Sequence, residues 1–86
     1  MTEEKRFKVL CTAGQRRANP SIPETIPWSA VEPFRKQAMK NHGQTLERLN
    51  ERGGMSPAEI YAICHGLGWN DIGDNGTAID FVKGLK

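Results

Sequence analysis

The sequence is poor in the residues that usually announce a chemistry. It holds two cysteines, two histidines, two tryptophans and one tyrosine among 86 residues. Cys11, Cys64, His42 and His65 include neither a closely spaced cysteine pair nor a closely spaced histidine pair, so no zinc framework is present. There is no nucleophile elbow, no glycine-rich phosphate loop and no pair of carboxylates in an apolar setting. The expectation is a protein that is not an enzyme and takes no cofactor. No apolar run approaches the roughly 20 residues of a membrane span, and the first residues, MTEEKRFKVLCTAG, lack the apolar stretch of a signal peptide. That reads as a cytoplasmic protein without a membrane partner, in which Cys11 and Cys64 are free thiols. The one acidic loop, Asp71-Ile72-Gly73-Asp74-Asn75-Gly76, fails as a calcium loop. With Gly76 at the sixth position of an EF-hand, Gly73 and Val82 fall where the third and twelfth ligands should be.

What is present begins with the distribution of charge. The net charge is only +2, but residues 1–54 hold ten Lys/Arg against six Asp/Glu, and residues 55–86 hold two against four. The front is basic and the back acidic, which suits an anionic partner for the front half or an ordinary solvated surface.

Residues 1–26 read as an extended or flexible arm and residues 27–86 as a helical domain. Arg6–Thr12 alternates like a strand, but a lone strand has nothing to pair with. The prolines at 20, 23 and 27 argue against helix and for extended backbone through the rest of the arm. Ser29-Ala30-Val31-Glu32 reads as a capping box opening a first helix, with Val31, Phe34, Ala38 and Met39 as its buried stripe. Asn41-His42-Gly43 ends it. A second helix over Gln44–Arg52 turns Leu46 and Leu49 inward and stops at Gly53-Gly54, at least one of which needs positive φ so that Met55 can dock near Leu49. Ser56-Pro57-Ala58-Glu59 starts a third helix whose apolar face is Ile60, Ile63, Cys64 and Leu67, with Trp69 folded back beyond it. A last helix runs from Thr77 with Ile79, Val82 and Leu85 inward and Phe81 beside them. The expected fold is all-α: three or four helices with a central helix-turn-helix-like hairpin behind an extended N-terminal arm.

That hairpin raises the question of DNA. A recognition helix needs donors aimed at bases, yet Pro57–Leu67 carries no Arg, Lys, Asn or Gln, and Glu59 near its start would repel phosphates. The better nucleic-acid surface is the face carrying Arg35, Lys36, Lys40, Arg48 and Arg52, backed by Arg16 and Arg17, and it would bind by charge.

The string Asn41-His42-Gly43-Gln44-Thr45-Leu46-Glu47-Arg48-Leu49, followed by Arg52-Gly53-Gly54-Met55 and preceded by Pro27-Trp28, resembles small proteins of unknown function encoded by bacteriophages and prophages. Their shared core is N-H-G-Q-T-L-E-R-L-x-x-R-G-G, and the resemblance covers about residues 27–68. It implies a helical fold and a place in the cytoplasm of a bacterial host. Small phage accessory proteins commonly act by binding one host macromolecule, so a host protein that is modulated or inhibited is the expected partner, with nucleic acid on the basic face as the alternative. The polar residues of the string admit two readings. Either they cap and pair locally, or His42, Gln44, Arg48 and Arg52, with Arg35, Lys36 and Lys40, form an exposed surface for that partner.

Overall fold

Two of the most deeply buried side chains in the protein, Phe7 and Ile26, lie in the segment before Trp28. The structure, a computed structural model, describes residues 5–68 and 75–85. Strand β1 (Arg6–Lys8) pairs antiparallel with β2 (Thr25–Pro27), Phe7 directly opposite Ile26. Alternation puts both of these side chains on the core face, while Arg6 on the other face bonds the Thr25 hydroxyl at 3.1 Å and its carbonyl at 3.0 Å. Between the strands runs a short helix, α1 (Ala13–Ala18), with Ile22 buried just after it. Thr12 and Gln15 form its capping box, and the Arg16 guanidinium donates to the Ile22 carbonyl at 2.9 Å.

After β2 the chain makes two 3-10 turns, Trp28–Ala30 and Glu32–Phe34, and enters α2 (Arg35–His42). Gly43, in the left-handed conformation at φ 66, closes α2. Helix α3 (Leu46–Glu51) starts from Thr45, whose hydroxyl accepts the Arg48 N–H. Helix α4 (Pro57–Cys64) starts from the Ser56–Glu59 capping box. Helix α5 (Asn75–Lys83) follows. Helix α4 is central: it packs against α5 and α2, and each of its residues is buried or half-buried. Tyr61 of α4 stacks on His65 at 4.1 Å between ring centres and meets Phe81 of α5 edge-on at 5.6 Å, which leaves Phe81 half-buried.

The expectation of an all-α domain behind an extended arm is corrected by the two-stranded sheet, which makes the fold mixed, though mostly helical. The partner of β1 is Thr25-Ile26-Pro27, three residues too short to stand out as a strand. Its Pro27 is tolerated because it sits at the end of the strand. The prolines fail to exclude helix from residues 13–18 because all of them come after it. Ser29 does not cap the first long helix. Glu32 instead accepts from the Trp28 indole and from Arg35 at 3.0 Å, and the helix starts later, at Arg35. Met39, expected in the core, is 43 % exposed. Trp69 and Asp71–Asp74 lie outside the described residues.

The turn from α3 to α4 joins the sheet to the helices. Gly53 and Gly54 both have positive φ, 123 and 100, and Met55 is buried in the cluster that holds Leu49. Met55 also forms a parallel bridge with Val9. The Met55 N–H donates to the Lys8 carbonyl at 3.3 Å, the Leu10 N–H to the Met55 carbonyl at 2.8 Å, and the Lys8 N–H to Asn50 Oδ1 at 3.0 Å. A Cβ on Gly54 would stand 2.5 Å from the Lys8 carbonyl carbon, whereas one on Gly53 would meet only Leu10, at 3.6 Å.

The two glycines are therefore predicted to differ. Gly53→Ala should cost about 1–2 kcal/mol through backbone strain alone. Gly54→Ala adds a collision with backbone that has no flexible end to move, and should cost on the order of 3 kcal/mol or more. Urea unfolding of the two variants measures the difference, and equal losses would mean that β1 does not sit against the turn.

Candidate functional site

The polar string of residues 41–54 divides in two when its contacts are traced. One part is internal. The Asn41 amide donates to the Leu67 carbonyl at 2.9 Å, with Gln37 at 3.3 Å on the same acceptor, tying α2 to the end of α4. His42 and Arg52 converge on Glu59. The Arg52 guanidinium lies 2.7 Å from Glu59 Oε2 and also donates to the Gly54 carbonyl at 3.2 Å, and His42 Nε2 is 3.4 Å from the same carboxylate oxygen. The other Glu59 oxygen accepts the Ser56 N–H at 3.1 Å. Glu59 is 7 % exposed, the one buried charged residue among those described, and a buried carboxylate needs this degree of pairing. Burial holds the His42 imidazole below its ordinary value, and Arg52 adds to that, while Glu59 opposes it. His42 is therefore neutral at neutral pH.

The other part faces solvent. Gln44 is exposed in the link before α3, Arg48 and Glu51 along α3, and Lys36 and Lys40 along α2. Met39, Lys36, Gln44, Arg48 and Glu51 border a groove between α2 and α3. Its larger lobe, about 600 Å³, is lined by Met39, Gly43, Gln44, Thr45, Arg48, Glu51 and Arg52. A smaller lobe of about 180 Å³ lies across Met39 and Thr45, against Arg35, Lys36 and Leu46. Arg35 is held by Glu32 at 3.0 Å and Glu47 at 3.1 Å. Lys36, Lys40 and Arg48 form no side-chain ion pair or hydrogen bond among the described residues.

Of the seven residues expected to form a surface, the structure thus brings Arg35, Lys36, Gln44, Arg48 and Arg52 to one groove and leaves Lys40 exposed on the adjoining helix. His42 is turned inward, and Arg52 spans groove wall and interior. The sequence reading missed Glu59 as the centre of the buried cluster. Ser56-x-x-Glu59 announces a cap, but nothing in its spacing announces Arg52 and His42 as further partners. It also missed Met39, whose helical spacing matches that of core residues.

Other chemistry finds little footing. No cluster of three His, Cys, Asp or Glu able to hold a metal occurs among the described residues. Burial pushes the Cys64 thiol up to about 11 and raises Cys11 as well, against the pull of Arg16, so neither is a thiolate at neutral pH. No helix among the described residues is long and apolar enough to cross a membrane. No protein-family model matches the chain, and no curated protein or solved structure matches it.

Two outcomes are predicted. Arg52→Ala strips Glu59 of its cation and should destabilise the fold by about 1–3 kcal/mol, whereas Arg48→Ala should stay within about 0.5 kcal/mol of wild type. The His42 shift also sets a pH dependence. Its folded value is depressed below the unfolded 6.5, so below that pH the unfolded chain binds more protons and stability must fall. Glu32 and Glu47 are held below their usual 4.5 and keep their charge in this window. Between about pH 7.5 and about 5.5, the urea midpoint should fall for wild type and fall less for His42→Gln. Parallel pH profiles would show that His42 does not report the cluster.

Proposed function

We propose that this chain is a non-enzymatic accessory protein of a bacteriophage or prophage that binds a host protein in the bacterial cytoplasm and modulates or inhibits it. The observation that carries the reading is the α2–α3 groove. It joins an exposed methionine to two cations, Lys36 and Arg48, that have no side-chain partner among the described residues. Methionine suits a contact surface because its unbranched, polarizable side chain adapts to the shape set against it. The phage setting rests on the N-H-G-Q-T-L-E-R-L core.

A protein is favoured over nucleic acid for three reasons. The groove has no aromatic side chain on which a base could stack. Carboxylates of Glu47 and Glu51 share the surface of α3 with its cations. Helix α4, the position a recognition helix would take, has no fully exposed residue to present to a major groove.

Affinity capture from nuclease-treated bacterial lysate tests this. Wild-type protein should retain a host protein that Met39→Glu and Arg48→Glu both fail to retain, at unchanged urea midpoints. Capture that ignores both substitutions would place the binding surface elsewhere. Loss of all capture on nuclease treatment, with retention of duplex DNA near physiological salt, would transfer the function to nucleic acid.

A further inference from the structure

The groove also specifies what kind of segment it can seat. Met39 and Thr45 belong to both lobes, so they form the saddle between them. Leu46, fully buried, backs the smaller lobe, and the aliphatic stems of Arg35 and Lys36 complete an apolar surround whose charged heads reach water. Each lobe contributes one cation that has no side-chain partner among the described residues: Lys36 in the smaller, Arg48 in the larger. The remaining cations of the lining are already neutralised, Arg35 by Glu32 and Glu47 and Arg52 by Glu59. The opposing charge in the lining is Glu51, in the larger lobe.

Resting on the reading of the chain as a binder of a host protein, we propose that the groove takes a short acidic segment of that protein. One apolar side chain would cover Met39 and enter the smaller lobe. Carboxylates on either side of it would meet Lys36 and Arg48. The apolar contact supplies affinity through area removed from water. The two flanking pairs supply register and partner choice, since complementary charge at a rim governs specificity and encounter more than binding strength. The saddle itself carries no carboxylate; the like charge near the groove is Glu51 in the larger lobe, with Glu32 and Glu47 already held by Arg35 beside the smaller one.

Selection of short random peptides on the purified full chain tests the proposal. Enriched sequences should carry Leu, Ile, Phe or Met with Asp or Glu on both sides. A synthetic peptide from that set should bind wild type with an affinity that falls as salt rises. Lys36→Glu and Arg48→Glu should each weaken it about tenfold, a difference of about 1.4 kcal/mol, and Met39→Glu should abolish it. Arg17→Glu, the same charge reversal on exposed α1, should leave it unchanged. Urea midpoints equal to wild type establish that each variant is folded. Failure to enrich any sequence, enrichment without acidic flanks, or equal weakening by Arg17→Glu would overturn the proposal. If lysate capture still depends on Met39 in any of those cases, the segment chemistry falls and the broader reading stands. If capture is indifferent to Met39 and Arg48, both fall.

Discussion

The backbone of Lys8 passes so close to Gly54 that no side chain fits between them, and most of the architecture follows from that contact. It brings β1 against the α3–α4 turn, where the Lys8 carbonyl, the Lys8 N–H and the Leu10 N–H all find partners on residues 50–55. Since β2 occupies the other side, the end of β1 at Lys8 is paired along its second edge as well. With β1 held there, Phe7 and Val9 enter the core. Of the twelve described residues in the buried cluster, four (Phe7, Val9, Ile22 and Ile26) precede Trp28. In so small a chain the helices alone would leave a core with a third of its residues missing, and small domains have little margin for that loss. The N-terminal segment is thus a structural layer, and the glycine pair is the surface on which it is laid.

The same turn accounts for much of the N-H-G-Q-T-L-E-R-L-N-x-R-G-G string. Gly43 and Thr45 end one helix and begin the next, Leu46 and Leu49 fill the core, and Asn50 holds Lys8. Arg52 reaches back past the turn to the Gly54 carbonyl and on to Glu59, so the guanidinium clamps the reversal of the chain at the point where Gly53 and Gly54 allow it. Glu59 also satisfies the Ser56 N–H and starts α4. A single buried carboxylate therefore couples the cap of α4, the clamp on the turn and the end of α2 through His42. Removing one partner would leave the others facing an under-compensated charge, which is why Arg52 and Arg48, four residues apart and both exposed in part, are expected to behave so differently.

The sequence made the helical region legible where local rules govern. Ser56–Glu59 capped as expected, Gly53 and Gly54 took the backbone that only glycine adopts easily, and Leu46, Leu49, Ile60, Ile63 and Val82 went inward by period. It was silent where the cause was distant. The match of Thr25–Pro27 to Arg6–Lys8 spans most of the N-terminal segment, and three residues carry too little pattern to announce a strand. The Thr12–Gln15 capping box of α1 obeys a local rule, but the prolines that follow it favour extended backbone. The candidate surface was legible in part: Gln44, Arg48 and Lys36 were expected at the surface and are exposed. His42 and Arg52 were grouped with them because helical position does not reveal that Glu59, on another helix, would draw one inward and engage the other.

Met39 shows where folding stops explaining the residues. A core position lost to solvent gives up burial worth roughly 25 cal/mol per Å², and at 43 % exposure Met39 contributes little that a polar residue would not. Lys36 and Arg48 beside it stabilise nothing that the described residues reveal, since exposed charges without partners add little to a fold. The polar residues around Glu59 are costly to change because several donors depend on one acceptor. Of those around Met39, Lys36 and Arg48 are free to change because, among the described residues, neither pairs with another side chain. Fold and groove are in that sense separable, although a few residues of α3 carry both: Leu46 and Leu49 on one face, Arg48 on the other. Substitutions at Met39 and Arg48 can therefore alter the surface of the groove while the β1–turn–α4 framework stays as it is.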